Sequence, residues 1–177
     1  MRLFIAINFD ENTKKALQQI SDEVKKHAVQ GRFVKEQHLH LTLEFLGNIH
    51  PAKVDRITGA MNQVITEKFT IKLKEVGFFK GREGHIYWIG IEENRHLFDL
   101  QRQLHEALKS QGFTLDNRPY KPHITIGRRV KLKDNFLPEK ILANLNQIAV
   151  DVDKIELMKS EHINGELVYS ILYTRNF

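Results

Sequence analysis

The tetrapeptide His40-Leu41-Thr42-Leu43 returns about half the chain later as His123-Ile124-Thr125-Ile126. Side chains alternate across an extended strand, so each copy puts an imidazole and a hydroxyl on one face and two aliphatic side chains on the other. A chain with two such strands must bury two apolar faces and leave two polar faces open. If the halves are related by a pseudo-twofold axis, the polar faces meet across one cleft. A lone histidine on a strand is ordinarily structural; two in the same frame, each with its threonine, are not ordinary.

The surroundings of the motif repeat as well. A strand over residues 3–8 leads, through an Asp10 or Asn12 cap, to a helix over 13–27 in which Ala16, Leu17, Ile20 and Val24 recur at helical spacing. A loop follows, then the motif strand over 38–45, closed by Gly47-Asn48. A helix after Pro51 carries Val54, Ile57, Met61 and Val64 on one side. Strands over 70–79 and 85–91 are joined by a turn between Gly81 and Gly84. The second half runs in similar order. It has a helix over 95–110 with Leu97, Leu100, Leu104 and Leu108, a stop at Gln111-Gly112, and the second motif strand after Pro119 and Pro122. A short helix over 139–146 and strands over 152–160 and 167–174 follow, with Asn164-Gly165 as the hairpin turn between the strands. Hairpins mixed with helices predict an α+β fold. The expected architecture is one domain over residues 1–177, with two interleaved lobes and an internal repeat of roughly 1–84 and 85–177.

Several function classes are excluded. There is no cysteine, which removes disulfides, thiolate zinc sites, iron–sulfur clusters and a cysteine nucleophile. No glycine-rich phosphate loop of either common pattern occurs, which argues against a nucleotide cofactor. The run from Met1 to Asn8 is too short for a signal segment and reads as a buried strand. No apolar stretch approaches the ~20 residues of a membrane helix. The expected protein is therefore cytoplasmic, and monomeric because no exposed apolar stripe is apparent. A formal net charge of +5 and a pI near 9.4 favour an anionic partner, with nucleic acid the usual one.

Two imidazoles facing one cleft suit the hydrolysis of a cyclic phosphodiester. One neutral ring takes a proton from water, and one imidazolium gives a proton to the departing ribose oxygen. Thr42 and Thr125 can donate hydrogen bonds to the non-bridging oxygens as charge gathers there. This chemistry needs no metal and no cofactor.

The segments His38-Leu39-His40-Leu41-Thr42-Leu43-Glu44-Phe45-Leu46-Gly47, Arg118-Pro119-Tyr120-Lys121-Pro122-His123-Ile124-Thr125-Ile126 and Met1-Arg2-Leu3-Phe4-Ile5-Ala6-Ile7 resemble the two-histidine phosphoesterase superfamily. Within it, they resemble the RNA 2′,3′-cyclic phosphodiesterase branch, also called bacterial and archaeal 2′-5′ RNA ligase. The resemblance extends over essentially the whole chain. It implies two pseudo-symmetric lobes, each an antiparallel sheet with two helices, around a central cleft. It implies hydrolysis of an RNA 2′,3′-cyclic phosphate to a 2′-phosphomonoester, with reversible 2′-5′ joining of tRNA halves in some members. Carried onto this sequence, His40 becomes the proton donor to the 3′-oxygen and His123 the base that activates water. It also implies a phosphate-binding arginine shortly after the second motif. Family spacing favours Arg128, strand parity favours Arg129, and a bulge at Gly127 would reconcile them.

Other candidates remain. His38 shares the predicted face of His40, where it lines the cleft, faces solvent, or pairs with His40 and His123 as a metal site. Glu44 is predicted on that face too, orienting an imidazole or forming a rim ion pair. Tyr120 and Phe45 are candidates to stack on a base, although the parity of Phe45 matches Leu41 and Leu43 and favours the core. Phe78-Phe79 and Tyr87-Trp88 read as core packing. His27, His50, His85, His96, His105 and His162 have no motif around them and read as surface residues. Lys131 to Lys133 either touch phosphate or form a solvated loop. Two other readings compete: a phosphodiesterase of the same chemistry acting on 2′,5′-oligoadenylate or an ADP-ribose cyclic phosphate, and a non-catalytic RNA-binding module.

Overall fold

The computed structural model describes residues 1–133 and 148–177. In chain order the elements are β1 (Arg2–Asn8), α1 (Glu11–Lys26), β2 (Ala28–Phe33), β3 (His40–Asn48), α2 (Val54–Asn62), β4 (Phe69–Phe79), β5 (His85–Ile91), α3 (Arg95–Ser110), β6 (His123–Leu132), β7 (Ala149–Val152), β8 (Lys154–Ile163) and β9 (Glu166–Asn176). Single 3₁₀ turns at Glu36–His38 and Pro51–Lys53 precede β3 and α2. The helix expected over 139–146 lies outside the described residues.

The helices form where cap and apolar spacing coincide. The Asp10 carboxylate accepts the Thr13 N–H at 2.7 Å and starts α1, which buries Leu17, Ile20 and Val24. The Asn94 side chain accepts the Leu97 N–H at 3.0 Å, and α3 buries all four of its leucines. α2 and α3 pack on each other, α3 against β3 and α2 against β9, while α1 lies along β2.

The strands form two antiparallel sheets in the orders β3-β1-β8-β9 and β2-β6-β5-β4-β7. The first motif strand is thus in one sheet and the second in the other. The sheets do not coincide with the sequence halves: β2 joins the sheet of the second motif, and β8–β9 complete the sheet of the first. The repeat boundary expected near residue 84 is therefore crossed by chain exchange between lobes. One hydrophobic core runs through both, from Leu3, Ile5 and Ile7 to Ile124, Ile126 and Leu157.

Three local expectations change. Residues 28–33 were expected as loop and form edge strand β2, because pairing with β6 supplies the order that its exposed side chains do not signal. β3 starts at His40, so His38 belongs to the preceding 3₁₀ turn and not to the strand. β6 extends past residue 126 to Leu132. The hairpin at Asn164-Gly165 is as expected: both residues have positive φ, 52° and 82°, as a tight two-residue turn between right-twisted strands requires.

Candidate active site

β1 and β5 hold the two motif strands in matching ways. In β3, His40 pairs with Asn8 and Thr42 with Ala6. In β6, His123 pairs with Gly90 and Thr125 with Trp88. Leu41, Leu43, Ile124 and Ile126 are buried beneath. His40, Thr42, His123 and Thr125 line a single cleft of about 810 Å³ between the sheets.

The two rings are also held identically. His40 Nδ1 lies 2.7 Å from the His38 carbonyl oxygen, and His123 Nδ1 lies 2.7 Å from the Lys121 carbonyl oxygen. A ring nitrogen facing a carbonyl must carry the hydrogen, which assigns the tautomer and leaves Nε2 to exchange protons. The Thr42 hydroxyl is 3.0 Å from His40 Nε2 and donates to it while the ring is neutral.

Immediately after each His-x-Thr the strand bulges. Between the pairs Thr42–Ala6 and Glu44–Ile5, Leu43 is the extra residue. Between Thr125–Trp88 and Gly127–Tyr87, Ile126 is the extra residue. A one-residue bulge inverts the alternation that follows it. Phe45 and Arg128, each five positions after its motif histidine, therefore both line the cleft.

This corrects two expectations from parity. Phe45 is not in the core: it is 49% exposed, its ring lies 5.8 Å from Phe4, and the Arg2 guanidinium sits 5.6 Å over it. Glu44 is not beside an imidazole. It is 6% exposed on the opposite face, where it accepts from Gln101 Nε2 at 2.7 Å and His105 Nδ1 at 2.6 Å. Burial raises the Glu44 pKa, while His105 and Gln101 oppose that shift. His105, expected at the surface, is thus a partner of a buried carboxylate.

The bulge also separates the two arginines. A second irregularity in β6 puts Arg129 at φ 55°, and its Nε pairs with Glu83 at 3.2 Å. Both arginines line the cleft, but of the two only the Arg128 charge adds to the depression that burial imposes on both imidazoles.

Each ring rests on aromatic side chains. His40 lies 4.9 Å from Phe4 and 5.6 Å from Tyr169. His123 lies 5.0 Å from Phe79 and 6.3 Å from Trp88. Trp88 lies flat along β4 because Gly77 has no side chain; a Cβ there would come within 2.3 Å of the indole. Burial lowers the His40 pKa to about 4, with the His38 and Arg128 charges adding to it and the His38 carbonyl opposing. Burial also lowers His123, opposed by the Lys121 carbonyl and reinforced by Arg128. Both shifts favour the neutral ring before an anion arrives.

Tyr120 is not among the residues that line the cleft. Its ring packs edge-on against Phe98, and its hydroxyl donates to the Thr42 carbonyl at 3.0 Å. It ties the loop before the second motif to the strand of the first. His38 does line the cleft, from its turn, with its ring 4.7 Å from Tyr169. Among the described residues no group of three His, Cys, Asp or Glu is placed to hold a metal. Lys131 and Lys133 line a separate groove with Phe78, His85 and Tyr87.

Sequence reasoning missed Arg2, Arg32, Lys35, His162 and Tyr169, all of which line the cleft. Only strand pairing brings them there, and no local pattern marks them. Among the described residues no helix is long and apolar enough to cross a membrane.

The family model of the 2′-5′ RNA ligase superfamily matches residues 9–164. An RNA 2′,3′-cyclic phosphodiesterase of Thermotoga maritima is 30% identical over 182 residues, spanning 100% of this chain and 96% of that protein. One of the same name from Methanocaldococcus jannaschii is 34% identical over 180 residues, spanning 97% and 98%. E. coli LigT complexed with 3′-AMP matches with a TM-score of 0.81 and 26% identity, over 99% of this chain and 97% of that one. A Thermus thermophilus protein has the same fold, with a TM-score of 0.83 at 23% identity, again over 99% and 97%.

Proposed function

The chain belongs to the 2′-5′ RNA ligase superfamily, and from that membership we propose that it hydrolyses the 2′,3′-cyclic phosphate at an RNA end to a 2′-phosphomonoester, with His40 and His123 as its acid and base. One observation carries the assignment of residues: two imidazoles from separate sheets, with the same hydrogen-bonded pose, line one basic cleft.

The neutral His123 accepts a proton from water as the water oxygen attacks phosphorus. The bond from phosphorus to the 3′-oxygen breaks, and His40 gives that oxygen a proton from Nε2. The product carries a 2′-phosphate and a free 3′-hydroxyl. Arg128 and the Thr42 and Thr125 hydroxyls face the charge that builds on the non-bridging oxygens. His40 needs a proton that its burial disfavours in the free protein, and the anionic substrate supplies the field that restores it. With a 5′-hydroxyl in place of water, the same two groups open the cyclic phosphate onto that hydroxyl: a 2′-5′ linkage forms, the bond from phosphorus to the 3′-oxygen breaks, and His40 protonates the 3′-oxygen, which is the 2′-5′ joining reaction; broken tRNA would be a natural substrate.

The test is product analysis on an RNA ending in a 2′,3′-cyclic phosphate. The expected product is the 2′-monoester. His40→Ala and His123→Ala should each lower turnover at least ~10²-fold while leaving the fold intact by circular dichroism. An untouched substrate, a 3′-monoester, or near-normal turnover in either variant would overturn the reading. Untouched substrate bound tightly would instead mark a non-catalytic RNA-binding module.

A further inference from the structure

Among the described residues, five cations line the cleft, namely Arg2, Arg32, Lys35, Arg128 and Arg129, and no carboxylate lines it with them. Four of the five are engaged. Arg128 acts on both imidazoles. Arg129 pairs with Glu83 at 3.2 Å, and Lys35 pairs with Glu166 at 3.5 Å. Arg2 lies over the Phe45 ring. Among the described residues, no carboxylate pairs with Arg32.

Arg32 also occupies an unfavourable place. In the register of β2 with β6 it is the direct partner of Arg128. Like charges directly opposite on neighbouring strands destabilise a sheet. Nothing negative among the described lining residues relieves this pair, so a bound anion would relieve it. Paired residues project on the same face of adjacent strands, with backbones about 4.8 Å apart, so two long guanidinium side chains can splay to neighbouring phosphates of one nucleic-acid strand. Arg128 is the guanidinium in the field of the imidazoles; Arg32 stands one strand further out.

We propose that Arg32 is a subsite for the phosphodiester immediately 5′ of the reacting nucleotide, so that the site takes an RNA end of two or more nucleotides in preference to a free cyclic mononucleotide. This rests on the cyclic-phosphodiesterase reading and adds to it a substrate length. The missed edge strand β2 is what makes the subsite: it delivers a cation beside the second motif from the other half of the chain.

The test is equilibrium binding by titration calorimetry at low salt, in a His123→Ala background so that no ligand is consumed. The probes are adenosine 2′,3′-cyclic phosphate, the dinucleotide CpA ending in a 2′,3′-cyclic phosphate, and the same dinucleotide with a neutral methylphosphonate linkage. The charged dinucleotide should bind about 5- to 20-fold more tightly than the mononucleotide, the scale of one charge-assisted contact to a partly exposed guanidinium. Arg32→Ala should remove that advantage, the methylphosphonate should remove it equally, and the two together should cost no more than either alone. Equal affinity for the mononucleotide and the charged dinucleotide would overturn the subsite. So would Arg32→Ala weakening both ligands alike, which would place Arg32 on the reacting phosphate. Binding does not require turnover, so the two readings fail separately. The expected ratios without hydrolysis by the wild type would keep the subsite and sink the activity, and hydrolysis without the ratios would do the reverse.

Discussion

Binding of a cyclic phosphodiester should draw a proton from solution onto His40. In the free protein burial holds this ring at a pKa of about 4, so at pH 5.5 only ~3% of it is charged, by the one-unit-per-tenfold arithmetic of titration. A phosphate monoanion about 4 Å away, at an effective dielectric of ~20, attracts the imidazolium by ~4 kcal/mol. At about 1.4 kcal/mol per unit this raises the pKa by ~3 units, to ~7. At twice that distance the rise is about half as large, to ~5.5. The sign follows from the anion favouring the charged form: the pKa goes up on binding, so protons are taken up and affinity increases as pH falls from about 7 towards 5. At pH 5.5 the expected uptake is ~0.5 to 0.9 proton per ligand, and near pH 8.5 it is close to zero. The assay is calorimetry of adenosine 2′,3′-cyclic phosphate binding to the His123→Ala protein in buffers of different ionisation enthalpy. The slope of observed heat against ionisation enthalpy counts protons. A diester does not titrate in this range, so the count belongs to the protein. The His40→Ala/His123→Ala double variant separates His40 from His38, whose pKa burial also lowers. An uptake below ~0.2 proton at pH 5.5, or the same uptake in the double variant, would refute the argument.

Two further predictions rest on single contacts. Tyr120→Phe removes the donor to the Thr42 carbonyl; leaving that part-buried acceptor unpaired should cost about 1–3 kcal/mol in urea denaturation and should lower kcat more than it raises KM, because the tie between the two motifs is lost. Unchanged stability with unchanged kcat would show that the tie is idle. Arg128→Ala should raise KM for a cyclic phosphate at least ~10-fold, the scale of a charge-assisted phosphate contact, whereas Arg129→Ala, whose guanidinium is held by Glu83, should change it no more than about threefold. Equal losses, or the larger loss in Arg129→Ala, would reverse the assignment.

The parts of the site that were legible in the sequence are those that alternation alone determines. His40 and Thr42 had to share a face opposite Leu41 and Leu43, and the second motif had to do the same, because nothing interrupts the pleat within either tetrapeptide. One residue later the rule fails in both strands. The bulges at Leu43 and Ile126 depend on how β1 and β5 pair, and neither residue announces a bulge by type. Parity therefore misplaced Glu44 and Phe45, and it singled out Arg129 where both arginines line the cleft. A bulge near Gly127 was foreseeable from the conflict between spacing and parity, although the extra residue is Ile126. The edge strand β2 was illegible for another reason. Val29, Gln30, Gly31 and Arg32 are exposed, so no apolar alternation marks them, and their order comes entirely from β6.

The exchange of strands explains how two rings from distant stretches of chain keep one spacing. If each half of the sequence built its own lobe, the motifs would sit on two bodies joined by a hinge, and the cleft width would follow the hinge. Instead β2 leaves the first half to pair with β6 beside the second motif, and β8 pairs with β1 beside the first. Opening the cleft would move the chain crossings between the sheets and uncover a core that runs continuously from Leu3 to Ile124. Tyr120 adds a direct tie from one motif's approach loop to the other motif's strand. The two imidazoles are therefore held in place before substrate arrives, and under the proposed mechanism the anion has only to change the protonation of His40.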